Sequence, residues 1–564
     1  MTNKTEINVY MPSRDPDIFK LNPKENLSDI REKLNIHLIY SFIDRSSGSF
    51  VKREHEAKKK LEDIIEERDL YLEMYPWKFL VEEHKLEFGR IIDITNGKFK
   101  IAEKAAFTAK DCKMTLFEDN SGNIPPFSTH LNENWKDLFL TADNNNKDIK
   151  ESRFVTYPHT MVHEYHRLTL NLQLEPTPEF IKEVVVAINS KEHRNFKGIT
   201  EKFGQFIPTE VILGGREYDH KDSDNDLFES LKDLRKWKCI KFKNPIRSIF
   251  RLLEKGLREE ILKLIGKKIL YMENTVNPGT VSLKPISCKI PEKILKFVQN
   301  NKEADCSLFA TVVGKENVKN VTFNCQIFER DEKLKVYCIQ KGSKERNCKL
   351  EIRWMVIGYD INFDFESNFN GQLEVRKFEF NASGFNIDQN FNLTRDPALC
   401  FGMPKLNELE ISNNYLTIGH HFFNENGQIG FCTFYYDFKE AQYINNDSLN
   451  FNFYILFISN CPKSDGDIFP FKHNNRNKLP NFTGSKFTRT IKPKFISLYS
   501  NGHNKCRPMF LKQKINRFKI KYINGCDEGY IGKKFCKSDK LKYAFFDFNY
   551  QDLQNWQNWY NFFP

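Results

Sequence analysis

The stretch Lys202 to Arg216, "KFGQFIPTEVILGGR", sets a glycine between two aromatics, an apolar run after it, and a glycine pair after that. It reads as a strand entered from a turn. Gly204 lets the backbone bend sharply or permits a close crossing, and Phe206, Val211 and Leu213 supply packing. Gly214 and Gly215 give the strand a place to bend, or give another element room to touch its backbone.

The flanking sequence fits a layered unit. "YHRLTLNLQL" alternates as a strand. "EPTPEFIKEVVVAIN" then reads as a helix, with Pro178 in its first turn and Phe180, Val184 and Ile188 on one face. After the glycine pair come "SLKDLRKWKCIKFKNPIRSIFRLL" and a helix, "EKGLREEILKLIGKKILYM", which ends the unit near residue 275.

This order resembles the membrane-attack-complex/perforin (MACPF) family. Phe203 and Gly204 match the first aromatic and glycine of its signature, Phe206 falls near the second aromatic, and Gly214 and Gly215 match its hinge pair. Trp237, Pro245, Ile246 and Leu252 match later elements. The resemblance covers residues 76 to 275. It is nearest to a fungal set that joins this unit to an N-terminal β-grasp-like segment and a C-terminal β-rich region with "IGHHFFN"-type text. It implies a bent central sheet that straightens about the glycines, and a pore former as the family's usual product.

Two departures count against a pore. A spanning hairpin needs two alternating strands of about 9 to 11 residues each. The interval after Gly215, "REYDHKDSDNDLFE", is too short and full of Asp. The interval from Cys112 to Phe154 is long enough but shows no sustained alternation. Gln205 also stands where the family has Thr, and the signature His is missing.

Four segments follow from this reading: a β-grasp (ubiquitin-like) domain at 1–75, the MACPF-like domain at 76–275, a β-sandwich-like region at 281–496, and a basic Cys-containing tail at 497–564. The first rests on "INVYM", "IFKLNP", the helical "ENLSDIREKLN" and "IHLIYSFI", in the order strand, strand, helix, strand; "EHEAKKKLEDIIEERD" reads as a charged helix. The third rests on short aromatic and β-branched runs such as "SLFATVV", "VTFNCQIF", "YLTIGHHFF" and "FNFYILFISN". The expected fold class is multidomain α+β, with a bent-sheet α/β middle domain. A chain of 564 residues is too long for one core.

The start "MTNKTEINVYMPS" lacks a basic segment followed by an apolar stretch, and no run approaches the ~18 apolar residues of a spanning helix. Thirteen scattered cysteines fit reduced thiols. The expected setting is cytoplasmic, with peripheral membrane contact. Net charge is +11, yet from Lys486 to Lys542 there are 16 Lys/Arg against 3 Asp/Glu, so this segment alone carries +13. Within it, Arg517, Lys519 and Lys521 alternate with Phe518, Ile520 and Tyr522. A strand there would set a cationic face opposite an apolar one, which reads first as a solvent-facing strand and otherwise suits an anionic membrane surface or nucleic acid phosphates. No nucleic-acid motif accompanies it.

Chemistry is sparse. "HTMVHEYH" is one residue too tight for a zincin helix. His503, Cys506, Cys526 and Cys536 form a candidate zinc set with irregular spacing. There is no phosphate-binding loop and no nucleophile elbow, so no cofactor is expected and nothing supports an enzyme. The expected partners are an anionic membrane, proteins docking on the β-grasp domain, and further copies of the chain. The rival expectation is a cytosolic protein-interaction scaffold.

Overall fold

The computed structural model describes residues 4 to 548, apart from short connections and the intervals 117–126, 131–160, 219–236, 381–397, 479–493, 502–508 and 523–540. The chain divides into two compact units after Glu254.

Unit 1 begins with a five-stranded sheet: β1 (Thr5–Tyr10), β2 (Asp17–Leu21), β3 (Tyr40–Asp44), β4 (Ser49–Phe50) and β5 (Asp69–Met74) in the order β2-β1-β5-β3-β4. The β1–β5 pair at its centre is parallel, whereas β1–β2 and β3–β5 are antiparallel. Helix α1 (Leu27–Lys33) buries Leu27 and Ile30 with Ile7, Val9, Phe42 and Leu70. The charged helix expected over 54–69 is largely absent. One turn, α2 (Arg53–Glu56), precedes a bridge between Asn26 and Lys60 and a 3-10 turn that turns Leu61 and Ile64 into the core. Burial of those two side chains, with a bidentate bond from buried Arg31 to Glu56, overrides the run's helical propensity.

The rest of unit 1 holds α3 (Trp77–Glu83), β6 (Phe88–Asp93), β7 (Lys98–Ala105), β8 (Phe107–Leu116), β9 (Phe127–His130), β10 (Met161–Pro176), α4 (Pro178–Ser190), α5 (Arg194–Phe203), β11 (Phe206–Ile207), β12 (Glu210–Tyr218), β13 (Lys238–Phe242) and β14 (Arg247–Ser248). A long sheet runs β13-β12-β10-β8, with β9 also on β10, and a smaller one runs β14-β11-β6-β7. Every pairing in both is antiparallel. One face of the long sheet buries Cys112, Leu168, Leu170, Leu172, Val211 and Leu213 beneath Leu80 and Val81 of α3.

Unit 2 opens with α6 (Lys255–Ile265), which stops at Gly266 (φ +83). The helix expected to run through "GKKILYM" therefore ends seven residues early. Its continuation is a long strand, β15 (Lys267–Val281), so residue 275 lies within a strand. Then follow β16 (Ile286–Lys289), α7 (Glu292–Asn300), β17 (Ser307–Glu316), β18 (Thr322–Phe328), β19 (Lys333–Ile339), β20 (Arg346–Tyr359), β21 (Gln372–Phe380), β22 (Leu399–Leu406) and β23 (Leu416–Glu425). The remaining strands are β24 (Gln428–Asp437), β25 (Gln442–Ile444), β26 (Phe451–Ser459), β27 (Gly466–Pro470), β28 (Asn477–Lys478), β29 (Phe495–Asn501), β30 (Met509–Lys514), β31 (Arg517–Tyr522) and β32 (Lys542–Phe546).

A twelve-stranded sheet runs β16-β19-β18-β22-β26-β21-β15-β20-β17-β30-β31-β28, and a six-stranded one runs β25-β24-β23-β29-β32-β27. Their side chains share one core, in which Trp354, Ile455 and Phe457 of the large sheet join Phe422, Phe431 and Phe546 of the small one. The segment read as a basic tail supplies β29 to β32, so it is built into both sheets.

The α+β expectation is overturned: the described chain is mostly β. Among the described residues the longest helix has 13 residues, against 16, 15 and 14 for β10, β15 and β20. The middle segment is not α/β either, because its sheets are wholly antiparallel. The physical cause lies in the aromatic and β-branched runs, which bury strand faces against other strands and leave few surfaces for helices to cover.

Candidate functional site

Phe203, Gly204 and Phe206 meet at a backbone crossing. Gly204 caps the C-terminus of α5 with φ +95 and ψ 164, a conformation essentially reserved for glycine. A Cβ there would lie 2.5 Å from the Cα and carbonyl carbon of Gly89, and one on Gly89 would lie 2.1 Å from the Phe203 carbonyl oxygen. Two glycines are needed because two main chains touch. Past the crossing, the Gln205 N–H donates to the Arg90 carbonyl at 2.8 Å, and Phe206 pairs with Arg90 and Ser248.

Aromatic rings pack the crossing from below. Phe180 of α4 lies 5.3 Å from Phe203, 5.6 Å from Phe107 and 6.0 Å from Phe250, and Phe196 meets Phe250 edge-on. All five are fully buried. Thr177 caps α4 by accepting from the Phe180 N–H, and Lys202 ties α5 to Glu183 of α4. That ion pair raises the Lys202 pKa, through its hydrogen bond to Glu183.

Gly89 and Arg90 were not singled out by sequence reasoning. The signal was a second Phe-Gly pair, Phe88-Gly89, mirroring Phe203-Gly204. Arg90 is buried and its guanidinium donates to the carbonyls of His84, Lys85 and Phe88, closing the turn after α3. Burial pushes its pKa down to about 10, so it stays charged and fixes the strand that Gly204 must approach.

Gly214, Gly215 and Trp237 form a second, separate place. Gly214 lies opposite His166 and Lys238, and Gly215 opposite Tyr165. The register slips on both sides of Leu213. On β10 the slip falls between His166 and Leu168; on β13 one residue is added between Cys239 and Lys241. An extra residue in a strand bends it and increases its twist. Two such irregularities meet at Leu213, one on each neighbour of β12, and a third lies between β10 and β8 at Gln173/Leu174, so the long sheet has extra twist at two places. Trp237 is 1% exposed and packs with Leu213 and Cys239 directly beneath.

Antiparallel pairing also fixes where the chain leaves this sheet. The ends of β8 and β12 and the starts of β10 and β13 all lie at one end of the sheet, where β8 and β13 stop level with the slips at Leu213 and β10 and β12 run on past them. The intervals 117–126, 131–160 and 219–236 depart from that end. They contain the two segments read above as reduced hairpins and lie outside the described residues, as do Pro245 and Ile246.

The remaining candidates separate. Arg517, Lys519 and Lys521 do fall on one strand, β31, whose alternate residues Phe518 and Ile520 pack into a core with Tyr543 and Phe545. His503, Cys506, Cys526 and Cys536 lie outside the described residues. Among the described residues no group of three or more His, Cys, Asp or Glu is placed to hold a metal ion, and the described cysteines are free thiols. Burial raises several of them, Cys112 and Cys325 to about 12, which leaves them unreactive. No described helix is long and apolar enough to cross a membrane.

Comparison with known proteins reaches unit 2. Residues 267–530 match DUF7431, a domain of unknown function. The chain matches no curated protein. The matched segment stops short of β32, which lies between β27 and β29 in the small sheet.

Proposed function

We propose that this chain is a non-enzymatic protein of the MACPF kind. In this reading it associates peripherally with membranes or with assemblies, and its pore-forming hairpins are reduced or lost. The observation that supports the reading is the long antiparallel sheet of unit 1, with two register slips meeting at Leu213 and three chain intervals attached at the same end of the sheet. A sheet with slips so placed can change curvature near Leu213 and carry the attached segments with it. The acidic text after Gly215 argues against insertion and for a surface role.

The test uses liposomes containing anionic lipid, with dye release and co-sedimentation read on the same samples. Sedimentation without release is the expected result. Loss of sedimentation at low salt on reversing charge at Arg517, Lys519 and Lys521 would assign the contact to β31. Absence of both sedimentation and release would sink the membrane reading.

A second reading, a protein-interaction scaffold without membrane activity, is favoured by one observation. Strand β2 is the edge of the N-terminal sheet and carries Ile18, which is 69% exposed. An open edge is a template for strand addition by a partner protein. Retention of partner capture by a chain that ignores vesicles would select this reading.

A further inference from the structure

One face of the long sheet in unit 1 goes to the core beneath α3; the other carries an open groove of about 460 Å³. Strand register sets its floor. Asn171 of β10 lies between Lys113 of β8 and Glu210 of β12, and Gln173 lies opposite Asp111. Paired residues share a face, and these alternate with Leu170 and Leu172, which go to the core. Thr209 stands just before β12, while Arg247 of β14 and Leu252 line the groove from outside the sheet.

Most polar groups of this groove are unspent. Among the described residues, the side chains of Lys113, Asn171, Gln173, Thr209 and Arg247 have no hydrogen-bond or ionic partner, and none of them is sealed from solvent. Asp111 commits one carboxylate oxygen to the N–H of Cys112 at 2.8 Å. Glu210 is the exception, with an interaction of its own. Neighbouring surface charges behave otherwise: Lys110 pairs with Glu175, and Lys104 with Glu179. Lys113 and Arg247 thus stay open although Asp111 and Glu210 line the same groove.

We infer that the groove binds an uncharged saccharide about two rings long. Two basic and two acidic side chains line it, so a ligand with net charge of either sign meets as much repulsion as attraction. A hydroxyl both donates and accepts, so it can be met by a cation, a carboxylate or an amide. Asn171 and Gln173, two residues apart on β10, each offer an NH₂ group and a carbonyl oxygen to neighbouring hydroxyls. Leu174 and Leu252 supply apolar surface for the C–H face of a ring. The volume is about three times the ~150 Å³ cavity that holds one benzene, which leaves room for two sugar rings and bridging water. The assignment does not depend on the membrane reading.

The probes are maltose, cellobiose, lactose and trehalose, each titrated into the full chain and followed by calorimetry. The expected result is saturable binding of at least one of them. Asn171→Val suits a strand and removes the amide, and it should weaken that binding about tenfold, the scale of one lost hydrogen bond, with the urea midpoint kept. Arg247→Ala, at an exposed position, should weaken it as well and keeps the test open if Asn171→Val fails to fold. The proposal is overturned if none of the four sugars binds, or if either variant folds and binds as the parent does. It is also overturned if citrate or triglycine, the charged and zwitterionic probes, binds more tightly than any sugar with the same dependence on Arg247.

Discussion

Gly204→Ala tests the backbone crossing directly, and Gly198→Ala in the same helix is its matched control. At Gly204 three penalties combine. The conformation, φ +95 with ψ 164, costs a non-glycine residue about 1–3 kcal/mol. A Cβ would sit 2.5 Å from Gly89 backbone atoms, against the roughly 3.5–4.0 Å of ordinary carbon contact, so α5 and β6 must part by about 1 Å. Parting them strains the Gln205–Arg90 hydrogen bond, worth about 1 kcal/mol, and loosens Phe203 in its aromatic surroundings, at about 1–3 kcal/mol. The expected loss is about 4 kcal/mol or more. Gly198 lies inside α5 and a Cβ there meets nothing within 4 Å, so Gly198→Ala should gain about 0.5–1 kcal/mol from helix propensity alone. Equilibrium urea unfolding of the full chain, following the unit 1 transition, separates the two. A Gly204→Ala cost below about 1 kcal/mol, or equal costs for the two variants, would refute the account of the crossing.

Three further expectations concern unit 2. Folded His420 titrates near 3 rather than at the usual 6.5, so the unfolded chain binds protons more readily, and stability present above pH 6.5 is lost as pH falls toward 3. Between pH 7 and 5 this amounts to about 2 kcal/mol, and His420→Phe should flatten that part of the stability profile measured by denaturant titration. Asp547→Ala leaves the 1%-exposed Arg353 without the carboxylate it meets at 2.8 Å, and should cost about 3 kcal/mol in urea unfolding. Adding Arg353→Met should recover most of that loss. Truncation after residue 530, where the family match ends, removes Tyr543, Phe545 and Phe546 from the core. The truncated chain should lose the cooperative unit 2 transition, and a normal transition would show β32 to be dispensable.

Local patterns carried the strands and several helices. The N-terminal order strand, strand, helix, strand was legible because Leu27, Ile30 and Leu34 keep helical spacing between two alternating runs. Helix α4 was legible from Pro178 and its apolar face. The crossing at Gly204 was half legible: a glycine at a helix end announces a turn, but its partner Gly89 is more than a hundred residues away and nothing local links them. The extra twist at Leu213 depends on register slips in β10 and β13, which are properties of pairing and leave no mark in β12 itself. The α+β expectation failed where helical propensity ran on past Gly266, and where Leu61 and Ile64 answered to burial and not to the charged residues around them. His420 appeared only as part of a strand, because its surroundings are a relation among strands far apart in the sequence.

Strand β32 lies between β27 and β29, more than seventy residues after the first of them and about forty after the second. During synthesis both neighbours therefore emerge with an unpaired edge, and the core that Phe545 and Phe546 complete stays open to water meanwhile. At the usual elongation rate of about 5–20 residues per second, that exposure lasts several seconds. The small sheet of unit 2 thus cannot close until residue 546 has left the ribosome.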